Sequence, residues 1–187
     1  KGFTCFLLIV GMYNLPFMAY IAVASYVYID FFGLSEMGYS MYFAIAALLT
    51  VAGPFIWLVA QRFVSARRFT TIILAVAGFG GVTMLCTGQA SPAAFCASFL
   101  IFALMEACVR PYSTNILLSQ QEDDTGAAAS LINFLHTAIG CVGMVAAVLP
   151  WPNYVVGVGA IIVASMAVAG LGWFALLRSD APLKGVK

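Results

Sequence analysis

Pro92 to Leu118 reads PAAFCASFLIFALMEACVRPYSTNILL, an apolar run long enough to cross a lipid bilayer. A helix needs about 20 apolar residues to span the hydrocarbon core. The run does not alternate between apolar and polar positions, as a strand of a membrane barrel would. Because backbone polar groups in lipid must be paired by the protein itself, the stretch is predicted to be a transmembrane helix.

Five further runs of the same kind predict an all-α integral membrane protein with six transmembrane helices. Of the 187 residues, 64% are hydrophobic and 8% charged, whereas a soluble domain keeps roughly a quarter of its residues charged. The net charge of +1 gives no support for a nucleic-acid partner. The chain, residues 1–187, is therefore expected to be one six-helix domain in a lipid bilayer. The predicted spans cover residues 3–29, 38–60, 70–87, 92–118, 126–149 and 154–177.

The basic residues outside the spans predict the orientation. Six spans place both termini on one side, and every Lys and Arg outside the spans falls on that side. The opposite side carries only acidic charges, Asp30 and Glu36. The positive-inside rule then predicts a multi-pass protein of the cell (inner) membrane with both termini cytoplasmic. The basic residues counted are Lys1, Arg62, Arg67, Arg68, Arg178, Lys184 and Lys187.

The number of spans also has a consequence for the architecture. Two successive sets of three spans have opposite topologies, as in the inverted repeats of many transporters. The fold class is therefore predicted to be two inverted three-helix repeats. The chain begins at Lys1 instead of Met, which suggests a fragment of a longer protein or earlier residues that this sequence does not cover, and a complete half-size protein stays open.

Ionisable residues inside the spans are the strongest candidates for function, because charges in a membrane are costly and usually face a cavity or a partner. Glu106 and Arg110 are four residues apart, so they share one face of the fourth span. At 1.5 Å per residue, Glu106 lies about 21 Å along that helix, near mid-membrane. Two interpretations stay open. The pair forms a substrate or proton site, or it is structural, either as an ion pair that neutralises itself or with Arg110 extending toward the cytoplasm.

Polar residues on two other spans are further candidates for the same site. His136 on the fifth span is expected near the level of Glu106, with Asn133 one turn away. It either takes part in proton coupling, since His titrates near neutral pH, or is satisfied by a neighbouring helix. Asn14 and Tyr20 on the first span are candidates for a cavity wall. Pro111 removes one helical hydrogen bond and is expected to permit a kink beside Arg110.

Motifs for catalysis and metal binding are missing from the sequence. The chain has one His, which excludes the H-E-x-x-H pattern, and it has no Walker or EF-hand pattern. The five cysteines lie in apolar stretches without a C-x-x-C pair, and they are expected to pack as small hydrophobic residues. We therefore expect no enzyme activity, no cofactor and no metal site.

Two segments resemble the major facilitator superfamily. Residues 58–68, LVAQRFVSARR, resemble a degenerate copy of the loop motif G-x-L-x-D-R-x-G-R-R of that superfamily, with the acidic residue and the loop glycine replaced. Residues 126–134, GAAASLINF, resemble the G-x-A-S-A-L-x-x-F opening of the eleventh helix of its drug:proton antiporters. The resemblance covers nearly the whole chain as helices seven to twelve.

The resemblance implies one half of a twelve-helix transporter that works by alternating access. The first, second, fourth and fifth spans would line the cavity, and the third and sixth would face lipid. The partner would be the N-terminal six-helix half or a second copy of the chain. The resemblance of residues 58–68 to the loop motif of the superfamily implies that Arg62, Arg67 and Arg68 form a conformational switch loop.

The expected function is proton-coupled export of small organic molecules. An amphipathic cation would suit a cavity with aromatic walls and one acid. The alternative is a small six-helix membrane protein with a structural or scaffolding role, functioning as an oligomer.

Overall fold

The computed structural model describes residues 2–120 and 125–179. Within these residues the chain is helical and contains no β-strand. Six helices are long and apolar enough to cross a membrane, which confirms the predicted fold class of six transmembrane helices. They are α1 (Gly2–Phe31), α2 (Glu36–Ala60), α3 (Ala66–Thr87), α4 (Pro92–Leu118), α5 (Thr125–Ala147) and α6 (Tyr154–Arg178).

Some helix ends differ from the predicted spans, since helical hydrogen bonding does not begin and end where the apolar segment does. Helix α3 begins at Ala66 instead of residue 70, so Arg67 and Arg68 lie in its first turn and not in the preceding loop. Helix α5 ends at Ala147, two residues before the predicted end. Three residues counted for the orientation lie outside the described residues, and they are Lys1, Lys184 and Lys187.

Polar side chains cap the helices that begin at the end of the bundle opposite α1's first residue. Ser35 Oγ accepts from the Gly38 amide at 3.2 Å before α2. Ser91 Oγ accepts from the Ala94 amide at 3.1 Å before α4, and Asn153 Oδ1 accepts from the Val156 amide at 2.9 Å before α6. Such caps satisfy amide groups that have no partner within the helix. We call the end of the bundle where these three helices begin the opposite end. The end where α1 begins and α6 finishes is called the termini end.

Two prolines interrupt α1 and α2, whereas a third does not interrupt α4. The regular part of α1 stops at Gly11 and resumes at Asn14. The interrupted residues, Met12 and Tyr13, lie four and three residues before Pro16. Helix α2 is similarly interrupted at Val51, one turn before Pro54. A proline removes the hydrogen bond to the carbonyl four residues earlier, which accounts for both positions. Helix α4 is continuous through Pro111, so the kink expected there is not accompanied by a break.

The helices form two layers. The closest neighbours are α1 with α5, α1 with α6, α2 with α4, α3 with α4, and α3 with α6. The front layer therefore runs in the order α5, α1, α4, α2, and α3 with α6 forms the back layer. Helices α1 and α4 are the best covered, with 61% and 56% of their most apolar stretches buried, against 11% for α2 and 22% for α5.

Candidate functional site

A network of polar side chains joins the three helices α1, α4 and α5 inside the bundle. Arg110 Nε donates to Glu106 Oε1 at 2.8 Å, which is the pair that the four-residue spacing predicts. Arg110 Nη2 donates to Asn14 Oδ1 on α1 at 2.9 Å. Asn14 Nδ2 in turn donates to the backbone carbonyl of His136 on α5. We call these four residues the polar network.

The two ends of the ion pair differ in exposure. The Glu106 side chain is 6% exposed, whereas the Arg110 side chain is 52% exposed. Arg110 does not extend toward the termini end, because its guanidinium is bonded to Glu106, one turn deeper in the membrane, and to Asn14. The structure therefore does not contain the extended arginine that was one of the alternatives for this residue.

The depth of Arg110 makes its exposure informative. By a rise of 1.5 Å per residue, Arg110 lies about 12 Å from the last residue of α4, Leu118. A half-exposed guanidinium at that depth cannot face acyl chains without a large cost. The exposed side of Arg110 is therefore suited to contact with water or with a polar surface of another protein segment.

Glycines on α5 bring α1 close enough for the bond from Asn14. A Cβ at Gly143 would collide with the carbonyl oxygen of Leu15, and one at Gly140 would lie 2.6 Å from Asn14 Nδ2. Small residues at such crossings let membrane helices approach closely. The α5 backbone can therefore reach the side chain of Asn14.

His136 contributes through its backbone and not through its ring. The ring is half-buried, and its Nε2 has no hydrogen-bond partner among the described residues. The hydroxyl of Tyr13, next to Asn14 in the chain, is likewise buried without a described partner. These two groups leave a donor or acceptor available near the polar network. Sequence reasoning missed Tyr13, although its position one turn before Pro16 was a signal.

The other predicted site residues lie elsewhere. Asn133 is exposed on α5, and no bond of its side chain joins the polar network in the described part of the chain. Tyr20 belongs to an aromatic cluster, with its ring 3.5 Å from that of Phe99. The switch-loop arginines are exposed at the termini end, with Arg62 after α2 and Arg67 and Arg68 at the start of α3.

No group of three potential metal ligands occurs within residues 2–120 and 125–179. The chemistry available in the polar network is that of one carboxylate, one guanidinium and one amide, and the His136 imidazole is not bonded to them. Such a set can bind a polar or charged solute and exchange a proton. Comparison of the chain with protein-family models, curated proteins and solved structures finds no match. The fold and the network together define a multi-pass helical membrane protein with an ion pair between a buried carboxylate and a half-exposed guanidinium.

Proposed function

We propose that the chain is a six-helix half of a secondary transporter that exchanges small organic solutes for protons by alternating access. The observation that carries the proposal is the exposed side of Arg110 at membrane depth, held by buried Glu106 and Asn14. An ion pair that served only to neutralise two charges within α4 has no need of a half-exposed guanidinium. A pair that lines an aqueous pathway does.

The packing of the helices supports an inverted repeat, which is part of the same proposal. If α1 is exchanged with α4, α2 with α5 and α3 with α6, the same pairs of helices remain closest neighbours. The exchange also pairs the two best covered helices with each other, α1 with α4, and the two least covered helices with each other, α2 with α5. Two close crossings correspond as well. Gly53 on α2 packs against Ala107 on α4, and Gly143 on α5 packs against Leu15 on α1. Transporter sites commonly lie at the interface of such repeats.

The exposed front helices support a partner on that face. Helices α2 and α5 carry large exposed apolar side chains along their lengths, among them Leu48, Phe55, Phe134 and Val145. In a two-half transporter the same face, with α1 and α4 at its centre, would line the pathway. The resemblance to the major facilitator superfamily implies the same arrangement, with α3 and α6 behind. The oligomeric scaffold is the second candidate, since a second copy would cover the same face.

The proposed exchange mechanism uses Glu106 as the proton carrier. A buried lone carboxylate tends to take up a proton, whereas a neighbouring cation favours the charged form. Binding of a cationic solute, or a movement of α1 that withdraws Asn14, would weaken the Arg110 contact and change the proton occupancy of Glu106. Arg62, Arg67 and Arg68 would control the conformational change in this proposal.

Liposomes that contain the whole encoded protein test the proposal. The vesicles enclose a pH-sensitive dye and receive gradients of ethidium and of a panel of small organic cations and neutral solutes. Solute-dependent proton movement, missing from protein-free vesicles, is the expected result. A protein that moves no solute of the panel and forms stable oligomers would favour the scaffold instead.

A further inference from the structure

A cavity lies in the front layer, between α1, α2 and α4 and away from the polar network. Its volume is about 170 Å³, and four aromatic rings contribute to its walls. Phe99 lies seven residues before Glu106 on α4, so the cavity is about two helical turns closer to the opposite end. The lining residues are Phe17, Tyr20, Ile21, Phe43, Ala46, Ala47, Thr50 and Phe99.

The rings around the cavity are arranged as flat, nearly parallel walls. The ring of Tyr20 is stacked on that of Phe99, with centroids 3.5 Å apart and planes 8° apart. The ring of Phe43 is also within 8° of Tyr20's plane, with centroids 6.5 Å apart. Phe17 is inclined by 28° to Phe99. Aromatic groups associate preferentially in stacked or edge-to-face arrangements, so these walls are better matched to a ring than to a flexible chain.

The polar atoms of the lining are already paired. Tyr20 and Tyr28 share a hydroxyl hydrogen bond at 3.4 Å, and Thr50 Oγ1 donates to the carbonyl of Ala47 at 2.7 Å. No lining residue has a side chain that is charged at neutral pH. A charged ligand would therefore lose its hydration without gaining a counter-charge, which disfavours it.

We propose that this cavity binds a small neutral aromatic molecule of one or two fused rings. An apolar cavity of about 150 Å³ takes up benzene, so 170 Å³ suits a ligand of this class. Two lining residues, Ile21 and Ala47, are exposed, so the ligand enters from the outer surface between α1 and α2. The proposal does not rest on transport, since it concerns binding to a site separate from the polar network.

Photolabelling of the purified whole protein in lipid nanodiscs tests the proposal. The probe is 2-azidonaphthalene, which is neutral and flat, and labelled peptides are located by mass spectrometry. We expect saturable labelling of residues 43–50 that excess naphthalene removes. Dodecanoic acid and decalin, which is bicyclic but not flat, should not compete. Labelling that does not saturate, or that dodecanoic acid removes as well as naphthalene does, would overturn the proposal in favour of an acyl-chain groove.

Variants locate the site independently. Ala47→Trp should fill the cavity and abolish saturable labelling, whereas Ala44→Trp, at an exposed position of α2 outside the lining, should leave it intact. Ile21→Trp fills the same space from α1 and replaces Ala47→Trp if that variant does not keep its helix content. Unchanged labelling in the cavity-filling variants would overturn the proposal while leaving the transport proposal unaffected.

Discussion

Removing Arg110 while keeping Glu106 should destabilise the protein strongly. Arg110→Leu removes both guanidinium bonds, to Glu106 and to Asn14, and leaves the carboxylate 6% exposed without its cation. Hydrogen bonds to charged groups contribute about 1.5–3 kcal/mol each, and breaking a buried ion pair costs about 3–5 kcal/mol. Because Arg110 is half-exposed, part of its charge is already solvated. We therefore expect a loss near the lower end, about 3 kcal/mol.

A double-mutant cycle measures the coupling energy between Glu106 and Arg110 separately from the effect of losing either side chain alone. Glu106→Leu should cost less than Arg110→Leu, since Arg110 keeps Asn14 and its exposed side. The double variant should regain most of the loss, because the buried carboxylate is then removed together with its cation. The free energy of unfolding is measured on purified protein in detergent micelles by titration with dodecyl sulfate, with helix content as the signal. A coupling energy below about 0.5 kcal/mol would refute the reasoning, since that is within the error of additivity.

Three further predictions concern orientation, packing and conformational switching. Topology reporters should read outside at the opposite end, when placed at Asp30, Ser91 and Pro150. They should read inside at the termini end, when placed at Ser65 and Lys187. A cytoplasmic reading at Ser91 would remove the orientation. Gly143→Ala should cost about 1–3 kcal/mol by overpacking against Leu15, whereas a Cβ at Gly170 meets nothing within 4 Å and Gly170→Ala should be neutral or stabilising. Equal unfolding energies for the two variants would contradict the α1–α5 crossing. Arg62→Gln should lower the transport rate with little change in solute affinity, and Arg178→Gln serves as its control. A loss of affinity at normal turnover would contradict a switching role.

Hydropathy alone was sufficient to predict the six helices and to place the pair on α4. The spans are long, apolar and separated by short polar loops, so the number of helices follows from composition. The contact between Glu106 and Arg110 follows from helical spacing. Both depend on neighbouring positions in the chain and not on tertiary structure.

The rest of the site depends on how the helices pack, which the sequence does not encode locally. Asn14 was predicted only as part of a cavity wall, yet it bonds both Arg110 and the backbone of α5. That role requires the crossing of α1 and α5 at Gly143, a feature of two distant segments. Pro111 was expected to permit a kink, but α4 is continuous there. Pro111 has no amide hydrogen to donate to the carbonyl of Ala107, and α2 packs closely against Ala107 at Gly53.

The dependence of transport on the proton gradient in Glu106→Gln tests the central claim most directly. Glutamine keeps the shape of the side chain and an oxygen that accepts from Arg110, so the fold should be preserved, but it cannot carry a proton. In liposomes of the whole protein we expect solute still to equilibrate, while an imposed pH gradient no longer drives accumulation. Glu36→Gln, outside the polar network, should behave as the unmodified protein. Accumulation and pH dependence that are unchanged in Glu106→Gln would contradict the account and make the ion pair a structural contact within α4.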